Sequence, residues 1–73
     1  MMNFDPVDLM PTTETCGFFG GLKPIHPSTL WRGIKAGRYP PPIKIGPNAN
    51  RWLRQECTVA LAALIAQRDA RAA

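Results

Sequence analysis

Three consecutive prolines, Pro40, Pro41 and Pro42, interrupt this chain of 73 residues just past its middle. Each removes a backbone N–H that a helix would use, and each drives its predecessor into extended geometry. Any helix built upstream must end before the run, and whatever lies downstream starts from a stiff, extended segment. The elements on either side are therefore short. At this length they share one domain, whose core supplies only about 3–5 kcal/mol of net stability. So small a margin leaves room for a partner to be part of the structure.

Upstream of the prolines, "HPSTLWRGIKAG" carries the strongest helix signal. Pro27 suits the first helical position, where no N–H is needed, with His26 as the N-cap and Gly37 as a left-handed C-terminal stop. At about 100° per residue, Leu30 and Ile34 share one face. Ser28, Thr29, Arg32 and Lys35 spread over the opposite arc, with Trp31 at its edge. Earlier, "TTETCGFF" predicts a short helix with Thr12 or Thr13 as N-cap, Glu14 in the first turn and Gly20-Gly21 as the stop. Gly17 inside it costs about 1 kcal/mol relative to Ala, unless a second helix packs closely there. "GGLKPI" connects the two helices. Residues 1–11, with Phe4, Val7, Leu9 and Met10 broken by Pro6 and Pro11, read as an extended arm that lays apolar side chains on the core.

Downstream, "PIKI" and "NRW" flank "GPNA", a Gly-Pro-Asn turn between two short strands, with Lys44 and Arg51 on the resulting hairpin. From Leu53 or Arg54 to about Ala70 runs the longest helix, with Leu53, Cys57, Ala60, Leu61 and Leu64 on one stripe. Val59, Ala62, Ala63, Ile65 and Ala66 lie off that stripe, in a region without charge from Thr58 to Gln67. They read either as an alanine-rich helix chosen for propensity or as a surface for neighbouring subunits. The expected organisation is an extended arm (1–11), a domain of helix, helix, hairpin and helix (12–70), and a C-terminal tail (71–73). The fold class is mainly α with a small β-hairpin.

The net charge is +4, and its distribution says more than its sum. Lys23, Arg32, Lys35, Arg38, Lys44, Arg51 and Arg54 form a central block with no Asp or Glu among them; Asp5, Asp8, Glu14, Glu56 and Asp69 all fall outside it. Such a block is the footprint of a polyanion binder or, more plainly, of a solvated basic face. Cys16 and Cys57 match no C-x-x-C pattern and, with the single His26, are too few for a structural zinc site, so buried reduced thiols are expected and no metal or cofactor. The N-terminus has acids where a signal peptide is basic, and "CTVALAALIAQ" is too short for a membrane span. A soluble, cytoplasmic protein is the expectation.

Catalytic arrangements find no support in the residues. His26 is pinned between Ile25 and Pro27 with no signature tying it to a cysteine or an acid, and "GGLKP" lacks the spacing of a phosphate loop, so no enzyme and no catalytic residue is expected. Helix, short turn, helix and basic hairpin is instead the plan of a winged helix-turn-helix, in which a polar helix enters the major groove and the hairpin touches backbone or minor groove. Arg32 could read a guanine edge, and Ser28 and Thr29 could bind phosphate or base edges. Trp31 is either a core or wing-packing residue or a DNA contact. Lys35 and Lys23 suit phosphate positioning. On the hairpin, Lys44, Asn48, Asn50 and Arg51 could follow a phosphate strand or the minor groove, although Asn48 and Asn50 also suit a turn for backbone reasons alone. Trp52 reads as core, pinning the hairpin to the first and third helices.

The stretch "STLWRGIKAGRYPPPIKIGPNANRW", followed by a helix, resembles the AlpA-type excisionase and phage regulator family. These are small winged helix-turn-helix proteins distantly related to the MerR-type DNA-binding head. The resemblance covers about residues 12–67 and rests on the spacing of Ser28, Thr29, Leu30 and Arg32, then Gly37-Arg38, the prolines, Lys44 and Arg51-Trp52. It implies DNA contacts from Ser28, Thr29, Arg32 and Lys35 on the helix and from Lys44 and Arg51 on the wing. Trp31 replaces the usual Tyr, Pro41 stands where a polar residue is common, and the first helix contains glycine and is followed by a longer link. Those departures bear on sequence preference more than on DNA binding.

The implied function is a recombination directionality factor of an integrated mobile element. It would bind double-stranded DNA at adjacent attachment sites cooperatively and bend it to promote integrase-mediated excision. An AlpA-type transcriptional regulator acting at a promoter is the alternative, and a protein-interaction adaptor with a basic face is the alternative of another class. No effector-sensing or dimerisation domain beyond the winged helix is expected, which argues against an effector-sensing repressor. Candidate partners are therefore duplex DNA, further copies of the chain on DNA, and a tyrosine or serine recombinase, with no membrane.

Overall fold

The proline run divides the chain as its chemistry requires. In the computed structural model, which describes residues 8–72, α1 (Thr12–Gly20) and α2 (Pro27–Lys35) precede the run. A hairpin of β2 (Ile43–Gly46) and β3 (Ala49–Leu53) follows it and leads without a break into α3 (Arg54–Ala72). The places expected for Phe4 and Val7 on the core lie outside the described residues.

One element was not foreseen. Leu9–Met10 form a short strand, β1, antiparallel to β3, with Leu9 opposite Leu53 and Met10 opposite Trp52. The expected hairpin is therefore the larger part of a three-stranded antiparallel sheet in the order β1-β3-β2. A two-residue strand is too short to show a period of two, so no pattern announces it. Its effect on the core is large, because Met10 is fully buried.

Local chemistry accounts for α2. His26 Nδ1 accepts the Ser28 N–H at 3.1 Å, Pro27 occupies the first turn, and Gly37 takes φ +83° just past the helix end. In α1 the expected Thr12 or Thr13 cap is replaced. Pro11 is the N-cap, and its ring has no hydrogen-bonding group, so no side chain caps the helix; the Thr15 hydroxyl donates back to the Pro11 carbonyl at 2.9 Å. That bond lets Thr15 be fully buried with its polar atom satisfied. At the other end Gly21, at φ +73°, donates its N–H to the Gly17 carbonyl.

The core is one cluster of Met10, Cys16, Leu30, Trp52 and Cys57, drawn from β1, α1, α2, β3 and α3, with Phe18, Phe19, Ile25, Ile34 and Tyr39 packed on it. Gly17 faces open space, so no second helix packs on it. The close approach is at Gly33, where a Cβ would collide with the Tyr39 ring, and that ring packs on Phe19 of α1 with centroids 4.3 Å apart. Both cysteines are free and buried, as expected. Burial pushes the Cys57 thiol up to about 11, with Glu56 adding to the effect and Arg54 opposing it, and burial also raises Cys16.

α3 packs through Cys57, Ala60, Leu61 and Leu64, and from Ile65 to Arg71 every side chain is exposed. Its last two turns stand clear of the domain. Near its start, Arg54 pairs with Glu14 of α1 at 3.2 Å. The acid-free central block of the sequence is thus not free of acid in space: its last member faces a carboxylate from forty residues upstream.

Candidate nucleic-acid interface

The orientation of α2 follows from three residues. Leu30 and Gly33 are buried and Ile34 is half-buried, so the opposite side of the helix must face outward. At 100° per residue, Ser28, Arg32 and Lys35 fall within about 60° of one another along that outward side. All three are exposed, and so is Thr29, which lies off the strip toward one flank. Trp31 lies toward the other flank. Its indole is 42% exposed yet meets Trp52 edge-on, with ring centroids 5.7 Å apart.

Trp52 connects the helix to the hairpin. It is completely buried in β3, and its indole Nε1 donates to the Pro40 carbonyl at 3.1 Å. One side chain thereby touches α2 through Trp31, holds the proline bridge and carries the strand. A buried indole of this kind typically needs such a partner for its N–H. Trp52 was expected to pin the hairpin to the first and third helices; it shares the core cluster with Cys16 of α1 and Cys57 of α3, and its contact with Trp31 of α2 and its cross-strand neighbour Met10 of β1 lie outside that expectation.

The hairpin residues do not all look the same way. Lys44 opposes Asn50 and Ile43 opposes Arg51. Strand alternation then puts Lys44, Asn50 and Trp52 on one face and Ile43 and Arg51 on the other. Lys44 and Asn50 share the face that bears the α2-linking indole, whereas Arg51 is half-buried and donates from Nη1 to the Asn50 carbonyl at 2.8 Å. Asn48 stands exposed at the tip with φ +61°, the backbone role for which Asn suits a turn. The outer edge of β2 is blunted by Lys44 at its centre, a register shift between Lys44 and Gly46, and Pro42 and Pro47 at its ends.

Apart from Arg54, no member of the basic block takes part in an ion pair within the described residues. Lys23 is exposed in the turn between α1 and α2. Arg38 belongs to the basic block, but no site was expected there. It is exposed beyond α2 and lines, with Tyr39, Pro40, Pro41 and the first turns of α3, a groove of about 640 Å³. The sequence signal that could have found it is its position between a helix stop and a proline run, where a side chain has nothing to pack on. Among the described residues no group of three His, Cys, Asp or Glu could hold a metal ion, and no helix is long and apolar enough to cross a membrane. No family model, curated protein or solved structure matches the chain.

Proposed function

We propose that the chain is a winged helix-turn-helix protein that binds double-stranded DNA, with α2 as the major-groove helix and the β2–β3 hairpin as the wing. The observation that carries this reading is the outward strip of Ser28, Arg32 and Lys35, with Lys44 and Asn50 on the hairpin face joined to it through Trp31 and Trp52. Arg32 is the base reader, with Ser28 and Thr29 contacting phosphate or base edges at the helix N-terminus; Lys35 and Lys44 position the backbone. Arg51 and Asn48 are outer wing contacts. Trp31 serves the interface by packing on Trp52.

Within that reading the chain acts as an excisionase-type directionality factor on an integrated element, an assignment supported by the resemblance of residues 28–52 to the AlpA-type family. Regulation of transcription by the same interface is the second role that this resemblance supports. An assay of integrase-mediated excision with and without the protein separates the two.

Salt titration tests DNA binding itself. Log affinity for duplex DNA falls steeply with log salt if phosphates are neutralised, and absence of binding at low salt would leave the adaptor role. Arg32→Ala costs about 1–3 kcal/mol of binding and relaxes sequence preference, and an equal loss on every sequence would move Arg32 to the phosphate contacts.

A further inference from the structure

α3 carries a second seam besides the one in the core. Glu56, Val59, Ala63, Ala66 and Ala70 recur at alternating intervals of three and four residues, the spacing that keeps one face of a helix against a partner helix. Val59 is 66% exposed, and Ala63, Ala66 and Ala70 are exposed as well. Beside the first half of this seam lies the groove walled by Tyr39, Pro40 and Pro41, whose floor includes Ile34 and Ala60. Beyond its second half the helix projects with nothing among the described residues against it. Isolated helical turns are marginal in water, so two bare turns are an element short of a neighbour.

The two halves of α3 fit each other when one copy is turned end for end. We propose that the chain forms a two-fold pair in which the α3 helices of two copies pack antiparallel about Ala63. The projecting end of each lies in the groove of the other. Three observations single out a second copy as the occupant. The groove is mainly apolar, with Arg38, Gln55 and Glu56 also in its lining, and lies along the first turns of α3, the place an antiparallel helix of equal length reaches with its last turns. The seam offers a flat row of alanines, which allows close approach of two helix axes. The charges also match: centring the pair on Ala63 sets Glu56 beside Arg71 of the second copy, twice by symmetry. Neither residue is in an ion pair within the described residues.

The pair goes beyond the DNA-binding reading and does not depend on it. It is also a closed assembly. An isologous contact uses the same patch on both copies and stops at two, whereas a head-to-tail contact would continue along the DNA. Combined with the reading above, it presents two α2 helices related by a dyad, so the preferred target is an inverted repeat.

Sedimentation of the full chain without DNA tests the pair. A discrete species of twice the monomer mass is expected across the micromolar range. Val59→Glu puts a charge on the seam, one turn from its centre at Ala63, and raises the dissociation constant about tenfold or more, with helix content by circular dichroism unchanged. Glu56→Arg and Arg71→Glu each weaken the pair, and the double variant regains affinity. A monomer at every concentration, growth beyond two copies, indifference to Val59→Glu, or a double variant no better than either single one would each overturn the proposal. Because none of these variants lies on α2 or the hairpin, monomeric protein that still binds DNA would reject the pair and leave the DNA-binding reading intact.

Discussion

α1 and α2 contain nine residues each and lie on either side of one short turn, yet they are stabilised in different ways. α1 has no side-chain cap at its first residue and no solvent-facing strip of one character. It is held by what it touches: Cys16 in the core, Thr15 bonded back to Pro11, and Phe19 stacked on Tyr39. α2 is organised at its own ends, with His26 capping the start, Pro27 in the first turn and Gly37 beyond the stop; of its polar side only Ser28, whose hydroxyl lies 2.8 Å from His26 Nδ1, takes part in the cap. A helix fixed by packing makes a scaffold; a helix fixed by its caps makes a presenting surface.

The joint between them offers the strongest way to break that contrast. Gly33→Ala drives a methyl into the Tyr39 ring, which is itself stacked on Phe19, so α2 and α1 must separate. The gain in helix propensity is smaller than this overpacking, and a net loss of about 1–3 kcal/mol is expected in chemical denaturation. An unchanged midpoint would mean that Tyr39 swings away freely and the helices are not coupled through it. Thr15→Val is the next largest test and concerns α1 alone. The Pro11 carbonyl keeps its bond from the Thr15 N–H, so the loss is that of one hydrogen bond, about 0.5–1.5 kcal/mol. His26→Ala sharpens the other side, because removal of the cap costs about 0.5–1 kcal/mol and leaves the α1 contacts alone. Amide exchange distinguishes the cases: opening confined to the first turn of α2 is expected for His26→Ala, and opening spread through α1 would contradict its independence.

The last test concerns pH and is seen only at the alkaline end. The Cys57 thiol is raised by burial from about 9 to about 11, so the folded chain holds its proton where the unfolded chain has lost it. That contribution to stability is fully present below about pH 9 and is lost as pH rises toward 11. Cys57→Ser is expected to flatten this alkaline loss relative to neutral pH. A parallel decline in both proteins would assign it to other groups.

The parts of the fold legible in the sequence are those decided within a few residues. His26-Pro27 and Gly37 bracket α2, Gly46-Pro47-Asn48 turns the hairpin, and α3 starts where the hairpin ends. What sequence did not show depends on distant partners. β1 exists because β3 has an edge to pair, Thr15 can be buried because its hydroxyl reaches back to the Pro11 carbonyl, and Arg54 leaves the basic surface because Glu14 meets it across the fold. The candidate site divides in the same way. Ser28, Arg32 and Lys35 follow from helical spacing, but the separation of Lys44 from Arg51 follows only from register, since a one-residue slip exchanges the two faces of a strand. Gly17 is instructive too: glycine in a helix signals that something is close, but here the residue with a close neighbour is Gly33.

The contact between Trp31 and Trp52 has a consequence of another kind. These are the only two tryptophans in the chain, one half in water on the presenting helix and one sealed under the hairpin, with their ring planes 61° apart. Indoles so close and so inclined couple their electronic transitions, which gives the far-ultraviolet dichroism a paired signature that neither ring has alone. The molecule thus carries an intrinsic optical gauge of the angle between helix and wing, readable without a label whenever something binds to either.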